Sequence, residues 1–235
     1  MAHALEPIGT CEILKGNVRL TFHLAPYTYT IARSGARVNY QVSDGKETIE
    51  FPLEYAFGQG KAGQTYVFSA GGKYYESRVS YYAATSGLDV TVGATGVRPT
   101  SLMDAAGRVM DGSEPRKCFG CHTTGARIGV TLQLANYEAG VQCEACHGPG
   151  ESHVAAIRQA KPSPGSIRSL GKMTPQQSSE FCGSCHRTWE DVALTILTGS
   201  LTARFPAYRI TSSPCYSLDD PRISCVACHD PHGLP

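Results

Sequence analysis

Between residues 16 and 97 the chain alternates apolar and polar positions with a period near two. The segments Val18–Phe22, Tyr27–Ile31, Arg37–Val42, Thr65–Phe68 and Tyr74–Tyr81 are rich in β-branched and aromatic residues, which suit a pleated, half-buried surface. Turn signals separate them: Ser34-Gly35, Asp44-Gly45, Gly58-Gln59-Gly60 and Gly71-Gly72. The pattern predicts an antiparallel meander or small sandwich of about five to seven strands. Most of the 12 tyrosines fall in this stretch, where alternate strand positions make them core residues or cross-strand partners.

Past residue 97 the alternation stops. Residues 98–117 read as a polar linker with a short helical stretch from Met103 to Val109. Helices are expected at Glu151–Ala160, ended by Pro162 and Pro164, and at Pro175–Cys182, where Thr174 caps and Pro175 fills the first turn. Another should run from Trp189 to Thr198, with Thr188 and Asp191 as a capping box and Gly199 as the stop. The expected fold class is therefore α+β. An arm (1–15) precedes an antiparallel β domain (16–97), and after the linker (98–117) comes a loop-rich, partly helical domain (118–235).

Composition narrows the function classes. The formal net charge of +1 over 235 residues argues against an extended basic surface for nucleic acid and against a polyacidic tail. No stretch approaches the ~20 continuous apolar residues of a membrane helix. Ten cysteines are too many for an ordinary reduced enzyme and too few for a disulfide scaffold.

Eight of the ten explain the count. They form four pairs at spacing C-x-x-C, each followed at once by histidine: Cys118-Phe-Gly-Cys121-His122, Cys143-Glu-Ala-Cys146-His147, Cys182-Gly-Ser-Cys185-His186 and Cys225-Val-Ala-Cys228-His229. C-x-x-C-H is the attachment signal for c-type haem. Two thiols separated by two residues can each add to one vinyl group of the same porphyrin, and the adjacent imidazole becomes the axial ligand. A thioredoxin-like dithiol is normally single, and zinc does not require histidine after every second cysteine. Four covalent haem c groups are expected. The segments between motifs are too short to build a separate core around each, so the porphyrins should share walls and become the core of this half.

Four histidines lie outside the motifs: His3, His23, His153 and His232. His153 and His232 sit too close in sequence to their neighbouring motifs to reach the far face of those haems. Each is expected to ligate a different haem, against the alternative of a hydrogen-bonded histidine beside a propionate. His23 lies on a strand, where a structural role competes with ligation. His3 lies in an unanchored terminus; as a ligand it can serve its own subunit or a neighbour's. Met103, Met110 and Met173 are the thioether alternatives. The two remaining cysteines, Cys11 and Cys215, are expected to pair as a disulfide in an oxidising compartment.

The segments Cys143–His153 and Cys225–His232 resemble multihaem c-type cytochromes, most closely the tetrahaem electron-transfer type that serves hydroxylamine oxidoreductase. Arg204–Arg209, followed by Ser213-Pro214-Cys215, looks like a further element of that class. The resemblance covers residues 118–235. It implies distal ligation by His153 and His232 and mostly bis-histidine irons. An electron-transfer protein working with other redox proteins is the leading expectation, in the periplasm or outside the cell, where covalent haem attachment is completed. The chain shows no charged-then-apolar leader and is read as processed or engineered. Self-association into a filament, with His3 of one subunit capping a haem of the next, is a variant. The competing function is a multihaem reductase with one five-coordinate iron acting on a small nitrogen or sulfur oxyanion; all four motifs carry histidine and none carries lysine, which leans against it.

Overall fold

After β1 (Leu5–Pro7) and the short helix α1 (Glu12–Gly16), seven strands follow: β2 (Arg19–Leu24), β3 (Tyr27–Ser34), β4 (Arg37–Ser43), β5 (Thr48–Phe57), β6 (Gln64–Ala70), β7 (Lys73–Tyr82) and β8 (Gly87–Val90). Each pairs antiparallel with the next in sequence order, and β8 returns to lie against β2, curling the meander toward a barrel. β1 adds to the edge of β5, and β9 (Gly107–Val109) to β7. The computed structural model describes residues 1–160, 167–194, 202, 205–220 and 222–233. The chain forms two compact units, Met1–Ala145 and Cys146–Pro235.

The expected alternation is plainest on β4. Val38, Tyr40 and Val42 are buried, while Asn39, Gln41 and Ser43 between them are half-exposed. The inward residues meet Tyr29, Ile31, Leu53, Tyr66, Phe68 and Val79 from neighbouring strands. Leu14 of α1 and Ala105 and Ala106 of α2 (Leu102–Ala106) complete the core. Tyr40 is buried but satisfied, its hydroxyl donating to the Ala106 carbonyl at 2.9 Å. Burial of each large side chain contributes roughly 1.5–3 kcal/mol.

Two departures from the sequence reading have local causes. β5 carries Pro52, which argues against a central strand. Its pairing with β4 ends at Pro52, opposite Asn39, and its pairing with β6 begins at Leu53. The proline thus sits at the changeover between two partners, where a missing N–H costs least. The helix expected over Met103–Val109 is short: α2 ends at Ala106 and the chain extends into β9. Gly107 permits the change, because a Cβ there would run into the Glu76 carbonyl of β7.

Cys11 and Cys215, the expected disulfide partners, are free cysteines, one in each unit. Cys11 is fully enclosed in the sheet core, and its Sγ donates to Gln64 Oε1 at 3.1 Å. Burial pushes this thiol up to about 11, so the reactive thiolate is scarce at neutral pH. Cys215 is exposed. An alkylating reagent at pH 8 should therefore label Cys215 quickly and Cys11 only after unfolding, read by peptide mass. Failure of both to label without reductant would show the bridge instead.

In the first unit, α3 (Glu114–His122) is followed by two short hairpins, β10 (Thr123–Thr124) with β13 (Glu138–Ala139) and β11 (Arg127–Ile128) with β12 (Thr131–Leu132). α4 (Cys143–His147) leads on to the helices of the second unit. These are α5 (Glu151–Arg158), α6 (Pro175–His186), α7 (Trp189–Ala193), α8 (Pro206–Thr211) and α9 (Cys225–Cys228). The capping boxes expected at Thr174 and Thr188 are both formed, with Gln177 and Asp191 as reciprocal partners. Pro162, Pro164, Thr198, Gly199 and Arg204, singled out above, lie outside the described residues. α6 packs against α8 and α9, and α7 against α8. Among the described residues, the buried apolar side chains of this unit are Pro175, Val192 and Ala207.

Candidate haem sites

The C-x-x-C-H motifs are built on helices. α3 ends with motif one, α4 is motif two, α6 ends with motif three, and α9 carries the cysteines of motif four. Helical geometry accounts for the spacing. Positions i, i+3 and i+4 lie on one face of a helix, so a single turn presents both thiols and the imidazole on the same side. In motif four the helix closes at Cys228 and His229 is its extended cap.

Motif one is anchored by the residue between its cysteines. Phe119 is fully buried and meets three aromatic rings: Tyr55 at 4.8 Å, Phe57 at 5.1 Å and Tyr74 at 5.7 Å. Leu5 and Ala126 complete this second, smaller core. The cluster joins α3 to β5 and β7, so the first attachment turn is part of the sheet unit. His122 projects beside Phe57, ring centres 5.2 Å apart.

The imidazoles of motifs one and two have their inner nitrogens engaged. His122 Nδ1 lies 2.8 Å from the Ala4 carbonyl, and His147 Nδ1 lies 2.8 Å from the Arg168 carbonyl. A carbonyl oxygen only accepts, so Nδ1 must carry the proton, and in the neutral ring Nε2 keeps its lone pair. That is the tautomer and orientation a metal-binding histidine requires, and such outer partners raise ligand basicity. Sequence reading missed both carbonyls, because a backbone acceptor leaves no mark on residue identity.

In the second unit the structure brings motifs three and four together. Cys182 and Cys225 lie close enough to perturb each other, with Ser178 beside them. Their mutual interaction pulls Cys225 down toward its thiolate and raises the Cys182 thiol well above its ordinary range. Cys146 of motif two is near enough to add its charge to Cys182. The rings of His147 and His232 lie 5.9 Å apart with planes 11° from parallel. His153 is half-buried on α5.

The other candidate ligands are placed less specifically. His23 is exposed on β2, its Nδ1 3.0 Å from the hydroxyl of its cross-strand partner Thr28. His3 is exposed and lies 3.3 Å from Glu6 Oε1. Met110 is buried, and Met103 packs against the sheet core. Met173 lines an open groove along α6 with Lys172, Gln177 and Phe181.

The second unit also has uncovered apolar surface of the kind a porphyrin would fill. α4, α5 and α9 bury no residue at all. Ile157 is 63% exposed, Val226 63% and Leu194 91%. Helices this short are marginal in water without tertiary packing, and a flat apolar group attached beside them supplies it. The residues present therefore fit covalent haem.

Residues 97–148, which include motifs one and two, match the family described as cytochrome c554 and c-prime. This stretch resembles a c-type cytochrome. A curated relative, cytochrome c-554 of Nitrosomonas europaea, is 30% identical over 93 residues, 34% of this chain and 38% of that protein. The chain thus matches under two-fifths of the relative's length. No solved structure matches. These likenesses support a c-type cytochrome with covalent haem, whose ordinary work is electron transfer. Among the described residues, no helix is long and apolar enough to cross a membrane.

Proposed function

We propose that the chain is a tetrahaem c-type cytochrome that passes electrons between redox partners in the periplasm or at the cell surface. The observation that carries this reading is the fourfold C-x-x-C-H motif on helices, with His122 and His147 held in the ligating tautomer by backbone carbonyls. Cys118, Cys121, Cys143, Cys146, Cys182, Cys185, Cys225 and Cys228 would hold the four groups, and His122, His147, His186 and His229 would serve as axial ligands. His153 and His232, with His23 and His3 as weaker candidates, supply the opposite faces. Haem c contributes a one-electron iron couple, its potential set by axial ligands and burial.

The adjacency of Cys182 and Cys225 supports rapid exchange, since it would tie two attached groups at neighbouring sulfurs. The sheet acts as a scaffold: β5 and β7 seat Phe119 of motif one, and the segment leading into β1 supplies the Ala4 carbonyl to His122. Partners are other redox proteins, and filament formation through His3 remains part of the proposal.

The whole-chain mass after expression with haem-attachment machinery should exceed the polypeptide by four haems. Paired Cys→Ser changes in each motif should remove one haem apiece; any other number refutes the tetrahaem reading. Reduced protein that binds no carbon monoxide fits a carrier with six-coordinate irons, whereas binding at one haem favours the reductase. Light scattering that finds only monomers would end the filament variant.

A further inference from the structure

We infer that His232 is the sixth ligand of the haem attached at motif two, opposite His147; this rests on the haem reading above. The two rings are nearly parallel, with centres 5.9 Å apart. That is too far for overlapping faces, which would bring carbons within about 3.5–4.0 Å. It is close to the separation of two imidazoles bound end-on to one metal. Metal–nitrogen bonds of about 2.0 Å, with each ring centre about 1.1 Å behind its nitrogen, put the centres about 6.2 Å apart.

The hydrogen bonding points the same way. His147 has Nδ1 committed to the Arg168 carbonyl at 2.8 Å, which leaves Nε2 for a metal. Neither ring nitrogen of His232 is hydrogen-bonded to a described residue. Its backbone N–H instead donates to Asp230 Oδ1 at 2.9 Å, which fixes the turn that presents the ring. Such a turn on the short Asp-Pro-His segment makes ligation less costly in chain entropy.

The pairing carries a consequence for electron flow. His229 would be the axial ligand offered by motif four, and His232 follows it by three residues. A fully extended chain of that length spans at most about 10–11 Å. One short backbone segment therefore joins the ligands of two irons and keeps the haems of motifs two and four adjacent.

His232→Ala in the full-length holoprotein tests the assignment. Its mass should still show four haems, while a quarter of the haem converts to a high-spin form that binds carbon monoxide when reduced. Added imidazole should restore the low-spin spectrum. His232→Met should keep that haem low-spin and raise its potential. In a variant lacking motif two (Cys143→Ser with Cys146→Ser), His232→Ala should add no further high-spin haem. An unchanged spin state in His232→Ala overturns the inference, as does a high-spin haem that persists without motif two. A mass other than four haems in the unaltered chain instead overturns the tetrahaem reading, before any spin state is measured.

Discussion

With the eight motif cysteines replaced by serine, the chain should keep slow amide exchange in β3–β7 and lose it across residues 146–235. The two units differ sharply in what they bury. The sheet encloses Tyr29, Tyr40, Tyr66, Phe68 and a set of aliphatic side chains from every strand between β2 and β8. In the second unit only Pro175, Val192 and Ala207, among described apolar residues, are buried. Ordering a residue costs about 1–2 kcal/mol in backbone entropy, which isolated one- and two-turn helices cannot recover. Haems attached there would supply the missing apolar contact. Exchange measured on the haem-free and haem-loaded chains decides the matter: strong protection of α6 and α8 without haem would show that the unit folds by itself.

Phe119→Ala should lower the stability of the first unit by about 3–5 kcal/mol, the range for large aromatic truncations in a packed core. Phe119 is fully buried, and its three aromatic contacts join β5 and β7 to α3. Edge-to-face geometry adds about 0.5–1.5 kcal/mol per pair beyond area burial. The change also leaves a hole beneath the turn that presents Cys118 and Cys121, so motif one should lose the orientation set by its helix. A denaturant midpoint close to that of the unaltered chain would contradict this account. Phe119→Leu, which keeps most of the volume, should recover most of the loss.

The sheet was legible wherever alternation was undisturbed. β2, β3, β4, β6 and β7 coincide with the segments read from period two, because each has one face in the core and one outside. β5 was hidden by Pro52 and by Glu50 and Glu54, whose cost vanishes only because the strand changes partners there. β1 and β9 are three residues each, too short to carry a period. The helices at 175 and 189 were visible through their caps, which are local side-chain chemistry, and the one at 151 through the prolines that follow it. The proposed haem residues are marked in the sequence by their motif, since a porphyrin would fix the spacing of thiol and imidazole. Their setting was not: the Ala4 and Arg168 carbonyls and the aromatic seat of Phe119 arise from tertiary contacts between distant segments.

The Ala4 carbonyl serves two donors at once, the Gly58 amide at 2.8 Å and His122 Nδ1 at 2.8 Å. One bond zips the chain beside β1 against β5; the other loads electron density onto the imidazole. The seam of the sheet is thereby a tuning peg. Any strain that pulls β1 off its neighbour would slacken the push on that imidazole, so loosening this edge would raise the reduction potential of a haem held at motif one.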